Sequence, residues 1–196
     1  MARKESGEVF LLNDMYSKVF SAGLRGMDSF LVEVEADISN GLPCVDFVGA
    51  LGQEVREGRE RVKAALHHFG IALPPKRITV NMSPADRRKE GSGYDLPVAA
   101  VLLQALDIIK RPFGDDTLLL GELGLDGEVR PVNGVLPLVL FARKAGFKRC
   151  ILPAANAEEG VLAEGMTVLP VSSLEDLWKI QEDDTGYIYH PDKRPV

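Results

Sequence analysis

The hydrophobic period of the chain switches between two residues and about 3.6, and these switches constrain the fold more than any other feature. From Val32 to Ile38, apolar residues alternate with acidic ones without exception, which indicates a strand with one buried face. Asn40-Gly41 follows and favours a tight turn, so we expect residues 43–48 to return as the hairpin partner of that strand. Residues 53–69 then show helical spacing and end before Gly70.

Beyond residue 70 the chain alternates between strand-like and helix-like segments up to residue 181. The predicted strands are 77–82, 117–123, 128–132, 149–152 and 166–171, and the predicted helices are 95–106, 133–145, 155–163 and 172–181. We expect Asp95 to cap its helix and Ser172 with Glu175 to form a capping box. Asp126-Gly127 favours a hairpin turn. This order of elements predicts an α/β (α+β) fold, a mixed sheet that helices cover mainly on one face.

The two ends of the chain lack this periodicity. We expect residues 1–14 to be an appendage, residues 15–181 to form one domain, and residues 182–196, which gain charge and proline, to be a linker. No apolar run reaches about 18 residues, so we expect no membrane span, and the short apolar patch near the start is too small for a secretory signal. Cys44 and Cys150 are interpreted as buried thiols of a cytoplasmic protein.

Charge is distributed unevenly along the chain. The 196 residues carry 23 Lys and Arg against 29 Asp and Glu, a net charge of −6, and this acidic balance argues against general nucleic-acid binding. Residues 53–91 nevertheless carry nine basic and five acidic residues. This segment is compatible with an anion-facing surface, and also with a solvated helix face whose charges pair, since Glu57 stands four residues before Arg61.

Common catalytic and cofactor motifs are missing from the sequence. No phosphate-binding loop of the form GxxxxGK[ST] occurs, and Gly91-Ser92-Gly93 lacks the outer glycines of a nucleophile elbow. His67 and His68 are neighbours on the predicted first helix and cannot hold one metal ion together. The glycines at 121, 124 and 127 have the wrong spacing for a dinucleotide fingerprint. We therefore expect this chain to carry no cofactor and no metal.

Two long stretches of the sequence, 78–106 and 118–153, resemble the proteolytic domain of Lon. A closer resemblance is to the amino-terminal domain of the ComM/YifB family of bacterial Mg-chelatase-like AAA+ proteins. It rests on five blocks that occur in one order: KVFSAGLRG (18–26), NGLP (40–43), VREGRERVKAAL (55–66), NMSPADRRKEG (81–91) and YDLPVA (94–99). The resemblance covers residues 16–181, nearly the whole chain.

That resemblance implies a ribosomal-S5-domain-2-like, Lon-type fold placed ahead of a hexameric ATPase motor. It implies a cytoplasmic protein that acts on DNA, since ComM proteins resemble helicases that drive branch migration during uptake of transforming DNA, and the RadA recombination helicase carries a similar domain. The ATP and Mg²⁺ of the motor would bind beyond the predicted linker. This chain is therefore expected to be an accessory domain that does not hydrolyse ATP.

The resemblance to Lon also tests whether the domain is a protease. Lon-type hydrolysis needs a serine nucleophile and a lysine that takes its proton. Matching Lys89-Glu90-Gly91 to the Lon pattern KDGPS puts Gly93 at the nucleophile position. Matching residues 130–134 to the Lon pattern LPIGG puts Leu136 at the lysine position. Both members of the dyad are missing, so we expect no proteolysis.

The loop ADRRKEGSGY (85–94) is the most informative stretch if the domain is not an enzyme. Arg87, Arg88 and Lys89 offer donors suited to phosphate oxygens, and Tyr94 offers a ring on which a base can stack. We expect Lys76, Arg77, Arg56 and Arg59 to extend the same DNA-binding surface, provided that they face the same way.

Three functional hypotheses follow from the sequence. The first is a non-catalytic accessory domain that contacts DNA, single-stranded or branched, and helps to arrange a homohexameric ring with its own AAA+ domain. The second is a protein-docking or assembly module without DNA contact, in which the basic loop is solvated and Tyr94 packs on its own domain. The third, a residual serine hydrolase, is disfavoured by Gly93 and Leu136.

Overall fold

A computed structural model describes residues 15–191 of the chain. The strands and helices are β1 (Tyr16–Arg25), β2 (Asp28–Ser39), β3 (Cys44–Val48), α1 (Gln53–His68), β4 (Arg77–Ser83), α2 (Asp95–Ala105), β5 (Thr117–Leu119), β6 (Glu122–Leu123), β7 (Val129–Arg130), α3 (Val135–Lys144), β8 (Arg149–Pro153), α4 (Ala157–Gly160), β9 (Thr167–Val171) and α5 (Leu174–Glu182). Seven strands form one mixed sheet in the order β3-β4-β2-β1-β5-β8-β9. The predicted α/β class is confirmed.

The pairing of β2 differs from the prediction. Its two edges are taken by β1 and by β4, both antiparallel to it, so β3 lies beyond β4 and runs parallel to that strand. The reason is β1, which the sequence analysis did not predict. It forms a long hairpin with β2 across a two-residue turn in which Gly26 has a φ of +61°, and a strand already paired on both edges has no place for a third neighbour.

The predicted strand 117–123 is divided between two sheets. Its first part, β5, lies parallel to β1 and β8 in the main sheet, whereas its last part, β6, pairs with β7 in a separate hairpin. The chain leaves the main sheet at Gly121, whose amide donates to the carbonyl of Gly93 (2.9 Å). Gly127 has a φ of +81° at the predicted turn of that hairpin.

Two apolar cores lie on opposite faces of the main sheet. The first core joins α1, α2 and α5 to residues such as Val34, Val80 and Ile151. The second core joins α3 and α4 to Leu118, Cys150 and Leu152. The expectation that helices cover mainly one face is therefore correct for the β2-β3-β4 half and wrong for the half that contains β5, β8 and β9.

Several helix ends also differ from the prediction. The N-cap of α2 is Tyr94, because the Asp95 carboxylate is used elsewhere. The capping box of α5 is one residue later than predicted: Asp176 accepts hydrogen bonds from the amides of Ser172 and Ser173. The predicted helix 155–163 shortens to a 3₁₀ turn followed by α4.

The predicted domain boundary at residue 181 moves towards the C-terminus. Helix α5 includes Glu182, Tyr187 and Ile188 pack against the first core, and the amide of Tyr189 donates to the Val168 carbonyl (2.9 Å). The predicted linker thus contacts the domain at least as far as Tyr189. The predicted appendage 1–14, like residues 192–196, lies outside the described residues. Within residues 15–191, no helix has both the length and the apolar character needed to cross a membrane.

Candidate nucleic-acid interface and neighbouring cleft

The basic loop predicted from the sequence is anchored at its C-terminal end by Lys89. The Lys89 amide donates to the Ala50 carbonyl (2.8 Å), and the Lys89 carbonyl accepts from the Gly52 amide (2.8 Å). The Lys89 side chain is fully buried, and its ammonium donates to the Pro84 carbonyl. Burial lowers the pKa of Lys89. The prediction that Lys89 faces DNA is therefore wrong, because its ammonium points inward and binds the Pro84 carbonyl at the start of the same loop.

Tyr94 is also buried, with 4% of its surface exposed. Its hydroxyl lies over Gly23, where an added Cβ would clash with it, and burial raises the pKa of the phenol. A ring enclosed in this way is not accessible for stacking on a base. The prediction that Tyr94 contacts DNA is wrong, and the alternative, in which this ring packs on its own domain, is correct.

Arg87 and Arg88 are exposed on the anchored loop. The Arg87 guanidinium carbon lies 5.5 Å from the centroid of the Phe30 ring, and Arg88 Nε lies 3.2 Å from Glu90 Oε1. Because the Arg88 and Glu90 side chains are each about two-thirds exposed, this ion pair contributes little and exchanges readily for another anion. The Arg87 and Arg88 side chains are therefore both accessible on this loop.

Arg56 lies beside this loop, whereas Arg59 is engaged elsewhere. The Arg56 amide donates to Gly52, the residue that binds Lys89, so the exposed Arg56 is one helical turn from the anchor. Arg59 donates to the Val45 carbonyl (3.4 Å) and to Glu60 (3.1 Å). The structure thus brings Arg56, Arg87 and Arg88 to neighbouring segments and directs Arg59 towards the edge strand β3.

Arg77 and Lys76 do not extend this surface. Along β4, Ile78 and Val80 point into the core beneath α1, so Arg77 points to the opposite face of the sheet. Its Nη2 lies 4.0 Å from Asp46 Oδ2. The Lys76 ammonium lies 3.5 Å from the sulfur of Met15. The prediction of one surface that contains both Arg77 and α1 is wrong, because alternate residues of a strand face opposite ways.

A buried ion pair that the sequence analysis missed connects α1 to α2. Arg61 Nε and Nη2 lie 2.6 and 3.1 Å from the two oxygens of Asp95, and Asp95 also accepts from the Leu123 amide (3.2 Å). The bond to Asp95 raises the pKa of Arg61; burial raises that of Asp95, and its hydrogen bonds oppose the rise. Gly58 is the sequence feature that could have indicated this contact, since a glycine in the middle of a helix is unusual and a Cβ at this position would clash with Asp95.

A cleft of about 300 Å³ lies on the other side of the glycine segment Gly91-Ser92-Gly93. Ser92 donates its hydroxyl to the Glu122 carboxylate. Gly93, at the position of the Lon nucleophile, has room for a side chain: its nearest neighbour would be Val132 at 3.7 Å. Leu136, at the position of the Lon lysine, lies in the first turn of α3, where its amide donates to Glu159 (2.8 Å). Within residues 15–191, no three His, Cys, Asp or Glu side chains cluster as metal ligands.

The described residues therefore define a mixed α/β domain with a pair of exposed arginines on an anchored loop, next to a cleft lined by glycines. Residues 34–156 match the family described as subunit ChlI of Mg-chelatase. Because this match covers more than half of the chain, the chain belongs to that Mg-chelatase-like family.

Curated relatives support the same placement. An uncharacterized protein of Mycobacterium tuberculosis is 44% identical over 171 residues, 86% of this chain and 34% of the relative. Competence protein ComM of Haemophilus influenzae is 36% identical over 159 residues, 81% of this chain and 31% of the relative. DNA repair protein RadA of Escherichia coli is 30% identical over 160 residues, 81% of this chain and 34% of the relative.

The resemblance to ComM/YifB proteins, and the more distant one to RadA, are confirmed by these matches. The chain spans about a third of the length of the curated relatives that it matches. The Lon-type fold name stays a prediction.

Proposed function

We propose that this chain is a non-catalytic accessory domain of a ComM/YifB-type AAA+ protein, and that it contacts DNA and helps to organise the motor ring. Membership of the Mg-chelatase-like family supports the link to an AAA+ protein. The names of two relatives, a competence protein and a DNA repair protein, support a role with DNA. We propose branch migration or recombination during natural transformation, in the cytoplasm, as that role.

The observation that carries the DNA contact is the presentation of Arg87 and Arg88. Both side chains are exposed, while the next residue, Lys89, is buried and holds the loop through its backbone and its ammonium. An anchored loop loses less conformational entropy on binding than a free one. Guanidinium groups are well suited to phosphate oxygens because their donors form a planar fork.

We place ATP, Mg²⁺ and hexamer formation in the parts of the relatives' length that this chain does not span. The sequence has no GxxxxGK[ST] loop of the kind that binds nucleotide phosphates. We also propose that the domain does not hydrolyse peptides, because glycine and leucine occupy positions 93 and 136 and Ser92 binds Glu122.

The DNA contact is tested with fluorescence anisotropy on the 196-residue chain. A labelled single strand and a labelled branched duplex are titrated at several salt concentrations against the unmodified chain and Arg87→Ala/Arg88→Ala. We expect the double variant to lower the salt slope on the single strand by about 1.4, because each phosphate contact contributes about 0.7. Lys89 is left unchanged because its removal perturbs the loop.

Lys110→Ala/Arg111→Ala is the matched control. It removes the same charge from an exposed pair beyond the C-terminal end of α2, whereas the loop precedes the N-terminal end of that helix. Equal losses in both double variants would indicate general electrostatic attraction and contradict a site at the loop. If the folded chain does not bind either DNA at low salt, DNA contact is excluded and the domain is a docking or assembly module.

A further inference from the structure

Strand β1 has an open edge next to the cleft. Its register with β5 ends at the pair Phe20 and Leu118, although β1 itself continues to Arg25. The chain that would have prolonged β5 turns away at Gly121, whose amide bonds to Gly93. The last five residues of β1 therefore have β2 on one side and the cleft on the other, where Ala22, Gly23 and Leu24 line it.

The hydrogen-bond pattern of the β1–β2 hairpin identifies which backbone groups face the cleft. The Ile38 amide donates to the Met15 carbonyl (3.0 Å), so the pair formed by these residues exchanges hydrogen bonds. Because such pairs alternate along an antiparallel ladder, the odd-numbered residues of β1 bond to β2, and the even-numbered residues direct their N–H and C=O groups to the other side. The Ala22 carbonyl and both backbone groups of Leu24 thus point beyond the end of β5.

The opposite wall of the cleft and its floor suit a narrow, extended ligand. The wall is the segment Gly91-Ser92-Gly93, in which two residues have no side chain and Gly91 has a φ of +82°. The floor is apolar and consists of Leu120, Val132 and Leu138. A strand added to β1 would bring its backbone to Ala22 and Leu24 and every second side chain to this floor.

Charge determines which ligand fits. Among the residues that line the cleft, Glu90 is the one charged at neutral pH, and its carboxylate pairs with Arg88 (3.2 Å). The Glu122 carboxylate accepts a hydrogen bond from Ser92. Because this charge is paired and the remaining lining residues are uncharged, the lining offers no free counter-charge to a phosphate backbone, whereas an uncharged peptide fits. The cleft and the arginine loop are therefore suited to different partners.

We propose that this cleft binds an extended peptide as an added strand on β1. The peptide is uncharged and places short apolar side chains against Leu120, Val132 and Leu138. The peptide contacts neither Arg87 nor Arg88, so this proposal does not rest on the DNA contact, although Glu90, which lines the cleft, pairs with Arg88.

The test is selection from a random dodecapeptide display library on the 196-residue chain, with parallel selection on Gly93→Leu. Leucine at position 93 fills the cleft beside Val132, and Gly93 lacks the positive φ that would strain it. We expect peptides enriched on the unmodified chain to bind Gly93→Leu at least about tenfold more weakly. Gly186→Leu is the matched control, since an added Cβ at Gly186 has no neighbour within 4 Å.

Synthetic versions of the enriched peptides separate strand addition from ordinary apolar contact. We expect N-methylation of a peptide amide that faces β1 to abolish binding, and N-methylation of the adjacent amide, which faces away, to leave the affinity unchanged. We also expect the NMR resonance of the Leu24 amide to shift when the peptide binds. Thermal unfolding verifies that both glycine variants are folded. If no sequence is enriched over folded Gly93→Leu, or binding tolerates every N-methylation, the proposal is overturned, whatever the DNA experiment shows.

Discussion

The two halves of the main sheet differ in how many of their faces are covered. Around β8, consecutive residues are buried: Cys150, Ile151 and Leu152 are each fully inaccessible because α5 and α2 lie on one side and α3 and α4 on the other. Along β4, Ile78, Val80 and Met82 are buried, but Thr79 and Asn81 between them are partly exposed. The pattern of apolar residues in a strand therefore reports how many layers cover it.

Within residues 15–191, no helix covers the face of the β2-β3-β4 half that lies opposite α1 and α2, and this open face is polar and mainly acidic. Glu33, Glu35 and Asp37 of β2 share it with Asp46 of β3, and Arg77 also points there. The exposed arginines Arg87 and Arg88 lie in the loop that leaves β4, outside this face. The acidic residues of β2 and β3 are thus concentrated on a face of the sheet that does not include the arginine loop.

The largest predicted loss of stability comes from lysine substitutions at neighbouring positions of one strand in each half of the sheet, β8 and β4. We expect Ile151→Lys and Leu152→Lys both to prevent folding, because an unpaired buried ammonium costs more than about 4 kcal/mol. On β4 we expect this outcome for Val80→Lys only, with Thr79→Lys within about 0.5 kcal/mol of the unmodified chain. Urea unfolding monitored by circular dichroism measures each; a stable Leu152→Lys would show that the second layer does not cover β8.

The next effect compares an ion pair on the covered face with one on the open face. Asp95→Ala leaves Arg61 without its carboxylate and the Leu123 amide without an acceptor. We expect a loss of about 3 kcal/mol, the low end for a buried pair because the Arg61 side chain is 21% exposed.

On the open face, Lys18 and Glu33 lie 3.7 Å apart and are both over one-third exposed. We expect Glu33→Ala to cost less than about 1 kcal/mol. Equal losses in the two variants, measured by urea unfolding in the same buffer, would contradict the contrast between the faces.

A smaller effect concerns the pH dependence of stability at the buried Lys89. Its pKa is lowered in the folded state by burial, so above that pKa the unfolded chain binds more protons than the folded one. The unfolding free energy of the unmodified chain should then rise relative to Lys89→Met as pH approaches the unfolded value of 10.5. Parallel unfolding curves between neutral and alkaline pH measure this difference, and a constant difference would mean that the ammonium is hydrated.

The smallest predicted effect is a pH dependence of stability at Tyr16, on the open face, where stability falls rather than rises at alkaline pH. The Tyr16 hydroxyl donates to Glu35 (2.7 Å), and this hydrogen bond raises the pKa of Tyr16 to about 12. Its contribution to stability is complete below the unfolded value of 10.0 and is lost as pH rises towards 12. The unmodified chain should therefore lose its advantage over Tyr16→Phe in that interval; a gain would contradict the hydrogen bond.

Much of the fold could be predicted from local pattern. The alternation at 32–38 lies within β2, and the helical spacing at 53–69 matches α1 closely. The order of the sequence motifs identified the family. The unpredicted element, β1, has the sequence YSKVFSAGLR, in which three consecutive small residues, Ser21-Ala22-Gly23, interrupt the alternation that marked β2. Its absence from the prediction led directly to the wrong partner for β3.

The candidate site was predictable only in part, because exposure is not a property of residue type alone. Arg87, Arg88 and Lys89 are three consecutive cations, yet two are exposed and the third is buried against Pro84. Similarly, Arg61 looks like a surface partner for Glu57 in the sequence and instead binds Asp95, 34 residues away. Nothing local distinguishes these residues, since the deciding atoms belong to other elements.

Local sequence pattern was sufficient for the α/β class and for the extent of most helices and strands, because hydrophobic period and turn residues act within a few positions of one another. The order of the sequence motifs was sufficient for the family. The tertiary structure alone decided that β3 pairs with β4, that Lys89 and Tyr94 turn inward, and that β1 keeps an open edge beside the cleft. Strand edges and buried charges are satisfied by partners far along the chain, and those partners are chosen by packing and hydrogen bonding of the whole domain.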